Sequence, residues 1–478
     1  MARNRFEALI AQANQGCGSA EHKGYFSRSH WTRRHFFQLM GAGVTASVLS
    51  KRAEGADTSP TAAATPINKA KNVIFVLLAG APSHTDLFDF KYLKGTTPDA
   101  TKPDTINGVD WPTGILPKLG NAFGDLAIIR SMQSHALVHS LAQTWTQIGR
   151  NPAAVLGNVS PNIGSLVAIE KDPLRMPTNV FPTFLALNSP GAVGAGYFPA
   201  NYAPFQTSPS NTGLQNTTHS AGEPLFNERW NLMHQLDDPL RINSPLGKPL
   251  SDMDDLYTGA KGLMYNPLVS KAFSYIQADS LRYGNNSFGN ACLVARQTLA
   301  ANDGTRFIQI TLGGWDMHQN IYGVGGDPTK GSNIFTLGKV LDDGVSALMA
   351  DLKADGTFND TLIVIVGEFG RTVGPITAAF GRDHYPQQFA VFAGGGVKGG
   401  RAIGATDARG AYTIDPGWSG GTLSGRNVAP EDIEATILSA VGIDWTKVRY
   451  DDPFGRGFEY TPQSVDVPAY PVHELWNA

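Results

Sequence analysis

"TLIVIVGEFGRTVGPITAAFGRDHYPQQF" runs from Thr361 to Phe389. Its first six residues are apolar or β-branched, with none of the polar alternation of a half-exposed strand, so they read as a strand buried in a sheet. Glu368 and Arg371 follow at once, and Asp383-His384 come after a Gly-containing bend. Four strongly polar groups just past a buried strand end need a chemical reason.

Working outward, the same grammar repeats. "KNVIFVLLAGAPSHTD" carries a continuous apolar run from Val73 to Leu78. "DLAIIRSM", "FPTFLAL" and "TRFIQITLGGWDMHQN" read as further strands, and "FAVFAGGGVKGGRAIGATD" as a strand, a Gly turn and a short extended piece. Between them, "HSLAQTWTQIG", "PLFNERWNLMHQLDD", "PLVSKAFSYIQADSLRYG", "GNACLVARQTLAAND", "IFTLGKVLDDGVSALMADLKADG" and "APEDIEATILSAVGID" read as helices. Strand–helix alternation implies an α/β fold, a three-layer sandwich around a mostly parallel sheet, in a single domain over residues 71–478. Residues 188–218, rich in Gly, Pro, Asn and Ser, read as a loop insertion that is either a lid, a substrate loop or decoration.

The 478 residues are 42% apolar, enough for a large core, and the 53 Gly and 30 Pro imply many shaped loops. A net charge of -3 gives no reason to expect nucleic acid as a partner. Of the two cysteines, Cys17 lies in the N-terminal segment and Cys292 on an apolar helix, so Cys292 reads as a core thiol rather than a nucleophile.

The N-terminus reads as an address. "SHWTRRHFFQLMGAGVTASVLSKRAEGADTSP" holds Arg33-Arg34, then Phe36-Phe37 and an apolar stretch too short to span a bilayer comfortably. It resembles a twin-arginine export signal over residues 1–56, with cleavage near Gly55 or Ala56. Residues 57–70, rich in Pro, Ala and Thr, read as a linker. The expected partner is the twin-arginine export machinery, the location the periplasm or cell surface, with no stable membrane span after cleavage.

In open α/β sheets, ligands bind beyond the carboxyl ends of the strands. The first strand is followed by Ser83, His84 and Asp86; "DLAIIRSM" by His135, His139 and Ser140; "FIQITLGGW" by Asp316 and His318; "TLIVIV" by Glu368, Arg371, Asp383 and His384. Asp, Glu and His without thiols suit a divalent metal such as Zn, Mn, Mg or Ca. Asp316 and His318, two residues apart in extended chain, point to the same side. So many charges at one edge are costly to bury without a counter-ion.

"LLAGAPSHTDLFDFK", "GGWDMHQN", "GEFGRT", "GRDHYPQQFAVFAGGGVKGG" and "GATDARG" together resemble an exported bacterial family, domain of unknown function 1501, of the alkaline-phosphatase-like (sulfatase-like) superfamily. The resemblance implies an alkaline-phosphatase-like fold with one or two metal ions held by Asp and His at strand ends. It places Asp86, His139, Asp316, His318, Glu368, Asp383 and His384 as metal ligands. Phe369 stands where the superfamily carries a His, which puts a second metal in doubt. Ser140 would be the nucleophile, or water activated by the metal would attack instead. Arg371 would clamp an anionic substrate, or pair structurally with Glu368.

The expected function is hydrolysis of phosphate or sulfate esters, on a small anionic ester or a carbohydrate-linked substrate. The alternatives are a non-catalytic binding or assembly protein that keeps the fold, and a carbohydrate-processing lyase or transferase suggested by the aromatic loop "GYFPANYAPF".

Overall fold

The computed structural model describes residues 64–242 and 244–477. Residues 1–56, read above as an export signal, and residues 57–63 of the stretch read as a linker lie outside the described residues. Eight strands form the central sheet: β1 (Asn72–Leu78), β2 (Leu126–Gln133), β3 (Phe184–Leu187), β4 (Phe205–Thr207), β5 (Phe307–Leu312), β6 (Thr361–Gly367), β7 (Gln387–Gly394) and β8 (Arg401–Ile403). Their spatial order is β8-β2-β7-β6-β1-β5-β3-β4. Every neighbouring pair is parallel except those of β7, which runs antiparallel to both β6 and β2. The sheet is therefore mostly parallel.

The helices that matter here are α1 (His139–Ile148), α2 (Ile163–Lys171), α3 (Gly222–Arg241), α4 (Lys248–Leu263), α5 (Ser287–Ala301), α6 (Ile334–Ala354) and α7 (Pro430–Ala440). Strand period explains the layers. Ile74, Val76 and Leu78 of β1 face a core shared with α5 and α6, through Cys292, Leu341 and Leu348. Val73, Phe75 and Leu77 face the opposite way, into a core with α2 and α7, through Leu166, Ile433 and Ile437. β6 divides in the same manner, with Ile363 and Ile365 on one side and Leu362, Val364 and Val366 on the other. Burial on both faces is why neither strand alternates in sequence, and each such side chain contributes about 1.5–3 kcal/mol.

The helix ends follow local chemistry. Asn162 accepts from Gly164 at the start of α2, Asn333 forms a capping box at the start of α6, and Gly149 closes α1 with φ 55°. Two readings change. The stretch from Pro267 to Gly284 is two short helices, Pro267–Phe273 and Gln277–Arg282, separated where Ser274 and Ile276 turn extended. Helix α4 carries no apolar stripe strong enough to be read, because it buries only Leu263. Among the described residues, no helix is long and apolar enough to cross a membrane. Cys292 is buried on α5, and burial pushes its thiol pKa up, as a core thiol requires.

Candidate metal centre

The site forms where the parallel strands end. Because β7 is antiparallel, its beginning lies at the same edge as the ends of β1, β5 and β6, which carries Asp383 and His384 there. A two-residue pairing of His384–Tyr385 with Gly370–Arg371 fixes this approach. Close backbone packing at the edge requires glycine. At Gly80 φ is 109°, and a Cβ would stand 2.6 Å from the Asp316 backbone nitrogen. At Gly381 a Cβ would stand 2.0 Å from the His318 carbonyl carbon.

His139, Asp316, His318 and His384 each offer one ligand atom, and these atoms lie within 4.8 Å of one another. Asp316 Oδ1 is 3.2 Å from His139 Nε2, 3.0 Å from His318 Nε2 and 3.9 Å from His384 Nε2. The Nε2 atoms of His318 and His384 are 3.0 Å apart.

The back of each ring is tied to an acceptor. His139 Nδ1 meets Glu368 Oε1 at 2.8 Å, His318 Nδ1 meets Asp383 Oδ1 at 2.8 Å, and His384 Nδ1 meets the Leu137 carbonyl at 2.8 Å. A carbonyl or ionised carboxylate only accepts, so these partners place the proton on Nδ1. In the neutral rings every Nε2 then carries a lone pair, and three lone pairs and a carboxylate face each other at 3–4 Å. The Arg371 guanidinium answers part of this repulsion, at 2.6 Å from Asp316 Oδ1 and 3.3 Å from His318 Nε2, and a cation among the remaining lone pairs would relieve the rest. A tetrahedral ion with bonds of about 2.0–2.1 Å separates its ligand atoms by about 3.3 Å, close to the observed spacings. His139 Nε2 is buried and makes no hydrogen bond, despite its 3.2 Å approach to Asp316. The residues fit a metal ion.

The surrounding charges agree. Burial alone would raise the Asp316 pKa, but the Arg371 hydrogen bond and charge, with His139 and His318, hold it below the usual carboxylate range. The Glu368 hydrogen bond raises the pKa of His139, whereas burial lowers that of His384.

Over residues 70–468 the chain matches the family described as "Protein of unknown function (DUF1501)". The chain belongs to the DUF1501 family. No curated protein matches this DUF1501 chain in sequence. Solved structures similar to it include the lipoteichoic acid synthase LtaP from Listeria monocytogenes, at 11% identity and TM-score 0.37, covering 83% of this chain and 76% of that one. A sulfatase from Pseudoalteromonas sp. is 14% identical with TM-score 0.38, covering 80% and 68%. A phosphonate monoester hydrolase from Silicibacter pomeroyi is 14% identical with TM-score 0.38, covering 85% and 76%. Superpositions this loose carry no argument about chemistry, which rests on the side chains of the DUF1501 chain itself.

Of the residues singled out in the sequence, His139, Asp316, His318 and His384 come together directly. Glu368 and Asp383 sit behind His139 and His318, where metal-site imidazoles commonly keep a carboxylate. Glu368 is fully buried, and its Oε1 also accepts from Gly80 N and Gln143 Nε2, both at 2.9 Å. Asp86 stands apart. It is fully buried and bound to Arg382 Nε at 2.8 Å, Ser83 Oγ at 2.5 Å and Tyr322 Oη at 2.6 Å. A carboxylate so committed has replaced metal ligation with a private ion pair. His84 is likewise buried away from the cluster, its Nε2 on the Gly410 carbonyl.

Arg371 pairs with Asp316 at 2.6 Å rather than with Glu368. It is completely buried, and its remaining N–H groups reach the carbonyls of Gly80, Ala81 and Arg382 and His318 Nε2. Four of its five donors are committed to oxygen acceptors, so it positions Asp316 and the strand-end loops, while the fifth, 3.3 Å from His318 Nε2, would give way to an ion bound there. Ser140 is exposed in the first turn of α1 and makes none of the contacts that join the cluster. Phe369 packs its ring 4.8 Å from that of His139 and 4.7 Å from that of His384, an apolar wall in place of a further ligand.

Gln143, Leu137, Gly80 and Arg382 were not singled out. Gln143 was accessible to reasoning, since it lies four residues after His139 on the same helix face. Arg382 directly precedes Asp383-His384. The carbonyl of Leu137 and the N–H of Gly80 leave no side-chain signal to read.

Proposed function

We propose that this chain is an exported, metal-dependent hydrolase of phosphate or sulfate esters. The supporting observation is the convergence of three Nε2 atoms on Asp316 Oδ1, with each ring held from behind by its own acceptor. Three imidazoles with one carboxylate suit zinc better than the oxygen-seeking magnesium or calcium. A bound divalent ion would supply Lewis acidity toward an anionic ester.

The chain's residues divide the remaining work. Glu368, Asp383 and the Leu137 carbonyl hold the imidazoles in one tautomer. Arg371 keeps Asp316 ionised and in place. Phe369 excludes water from one side of the rings. The Asp316 side chain, 48% exposed, leaves the opposite side open to substrate. Ser140 presents a hydroxyl in the N-terminal turn of a ten-residue helix, where free N–H groups favour an anion, and we assign it as the nucleophile. The paired Arg33-Arg34 and the short apolar stretch after it support export by the twin-arginine route to the periplasm or cell surface.

A second reading, a binding protein that holds metal without turnover, is favoured by one observation. Four protein ligands fill a tetrahedron, as in structural zinc sites. The test is to measure zinc content and turnover of p-nitrophenyl phosphate, bis-p-nitrophenyl phosphate and p-nitrophenyl sulfate in wild type, Asp316→Ala/His318→Ala and Ser140→Ala. Hydrolysis predicts metal-dependent turnover of one substrate, abolished in the double variant and strongly reduced in Ser140→Ala. A zinc-loaded wild type inert toward all three supports the binding protein instead.

A further inference from the structure

Beside the cluster lies a cleft of about 700 Å³ whose walls are unrelated to metal holding. Its lining includes His135, Trp145, Arg150, Arg426, Glu431 and Asp432. The volume is that of a small-molecule site.

One wall is a pre-set aromatic platform. Glu431 accepts from Trp145 Nε1 at 2.7 Å with one oxygen, and its other oxygen lies 3.2 Å from His135 Nε2. The two rings are thereby fixed 5.1 Å apart and inclined by 39°. The opposing polar groups come in both signs. Arg426 forms a bidentate pair with Asp432 at 2.6 and 2.8 Å. Arg150 is 92% buried, rests on the Phe458 ring and donates from Nη2 to two backbone carbonyls, while its Nε has no partner among the described residues. Aromatic faces among interspersed donors and acceptors, with the carboxylates of Glu431, Asp432, Glu459 and Asp466 outnumbering Arg150 and Arg426, disfavour an anion and match a neutral ring that is apolar on its faces and hydroxylated on its rim.

The cleft and the metal centre share a frame. His135 precedes His139 by four residues, so their Cα atoms are at most about 14 Å apart. The carbonyl between them, that of Leu137, orients His384. Trp145 packs against the small apolar cluster that contains Phe369, the wall behind His139 and His384.

We infer that this cleft binds a neutral carbohydrate, the sugar portion of the substrate whose ester reaches the metal centre. The inference rests on the hydrolase reading for its link to turnover, but not for the binding itself. The experiment is calorimetry and intrinsic fluorescence of the zinc-loaded chain with neutral probes (cellobiose, maltotriose, chitobiose and lactose), on wild type, Trp145→Ala, Trp145→Phe and Glu431→Gln. The expected result is saturable binding of at least one saccharide, weakened by about tenfold in Trp145→Ala. Trp145→Phe, which keeps a ring against the Phe369 cluster, retains most of the binding and its zinc content. Small aryl esters do not need the cleft, so absence of their turnover in the zinc-loaded wild type overturns the hydrolase reading and leaves the sugar site standing. Absence of saturable binding by every probe, or equal binding by wild type and Trp145→Ala, overturns the sugar site.

Discussion

Replacing Glu368 by Gln isolates the charge behind His139. Oε1 of Glu368 accepts three hydrogen bonds inside the core, from His139 Nδ1 at 2.8 Å, Gly80 N at 2.9 Å and Gln143 Nε2 at 2.9 Å. Glutamine has the same length and keeps one carbonyl oxygen, so the donors retain an acceptor while the negative charge disappears. Hydrogen bonds to a charged acceptor are about twice as strong as neutral ones. Changing such a partner of a ligating imidazole typically weakens metal affinity by about 10–100-fold, or about 1.4–2.7 kcal/mol. Glu368→Ala behaves differently. It strands the three donors without an acceptor, at about 1–3 kcal/mol for each buried group, so it lowers the Tm of the metal-free protein markedly.

The assay is competition for zinc against a chromophoric chelator, with thermal melts of the chelated protein alongside. The account predicts a zinc Kd raised by about 10–100-fold in Glu368→Gln, with a metal-free Tm close to wild type. Unchanged affinity would refute the claim that the Glu368 charge strengthens His139 as a ligand. A loss as large as that of His139→Ala would mean that Glu368 itself holds the ion.

Two further outcomes follow from the same contacts. Asp86→Asn leaves Arg382 buried and unpaired, and is expected to cost about 3–5 kcal/mol in urea unfolding while the folded protein keeps its full zinc content; loss of zinc at unchanged stability would return Asp86 to the metal site. The Glu431 hydrogen bond raises the pKa of His135, so the stability it contributes is complete below the unfolded value of about 6.5 and is lost as pH rises through the folded value. With His135 45% exposed, screening holds the effect to a few tenths of a kcal/mol. The stability gap between wild type and Glu431→Gln is therefore expected to be wider at about pH 5.5 than at about pH 8.5, and an equal gap in chemical denaturation contradicts the pairing.

Much of this was readable because burial and chemistry leave marks on sequence. β1 and β6, covered on both faces, are unbroken apolar runs, and the polar residues after them stand out for that reason. The residues that meet directly, His139, Asp316, His318 and His384, all lie within a few positions of a strand end. What stayed hidden was direction and pairing. Nothing local says that β7 runs antiparallel, yet that reversal is what delivers His384 to the edge. Nor does a carboxylate announce whether it faces an ion, as Asp316 does, supports an imidazole, as Glu368 does, or closes on an arginine, as Asp86 does. Those roles depend on which side chain from a distant stretch arrives beside it.

The most direct measurement is X-ray diffraction from crystals of the zinc-loaded protein, collected on both sides of the zinc absorption edge. The account predicts one anomalous peak within about 2.0–2.2 Å of the Nε2 atoms of His139, His318 and His384 and of Asp316 Oδ1. A map without that peak, in which the same three rings instead hydrogen-bond to one another or to water, would contradict it.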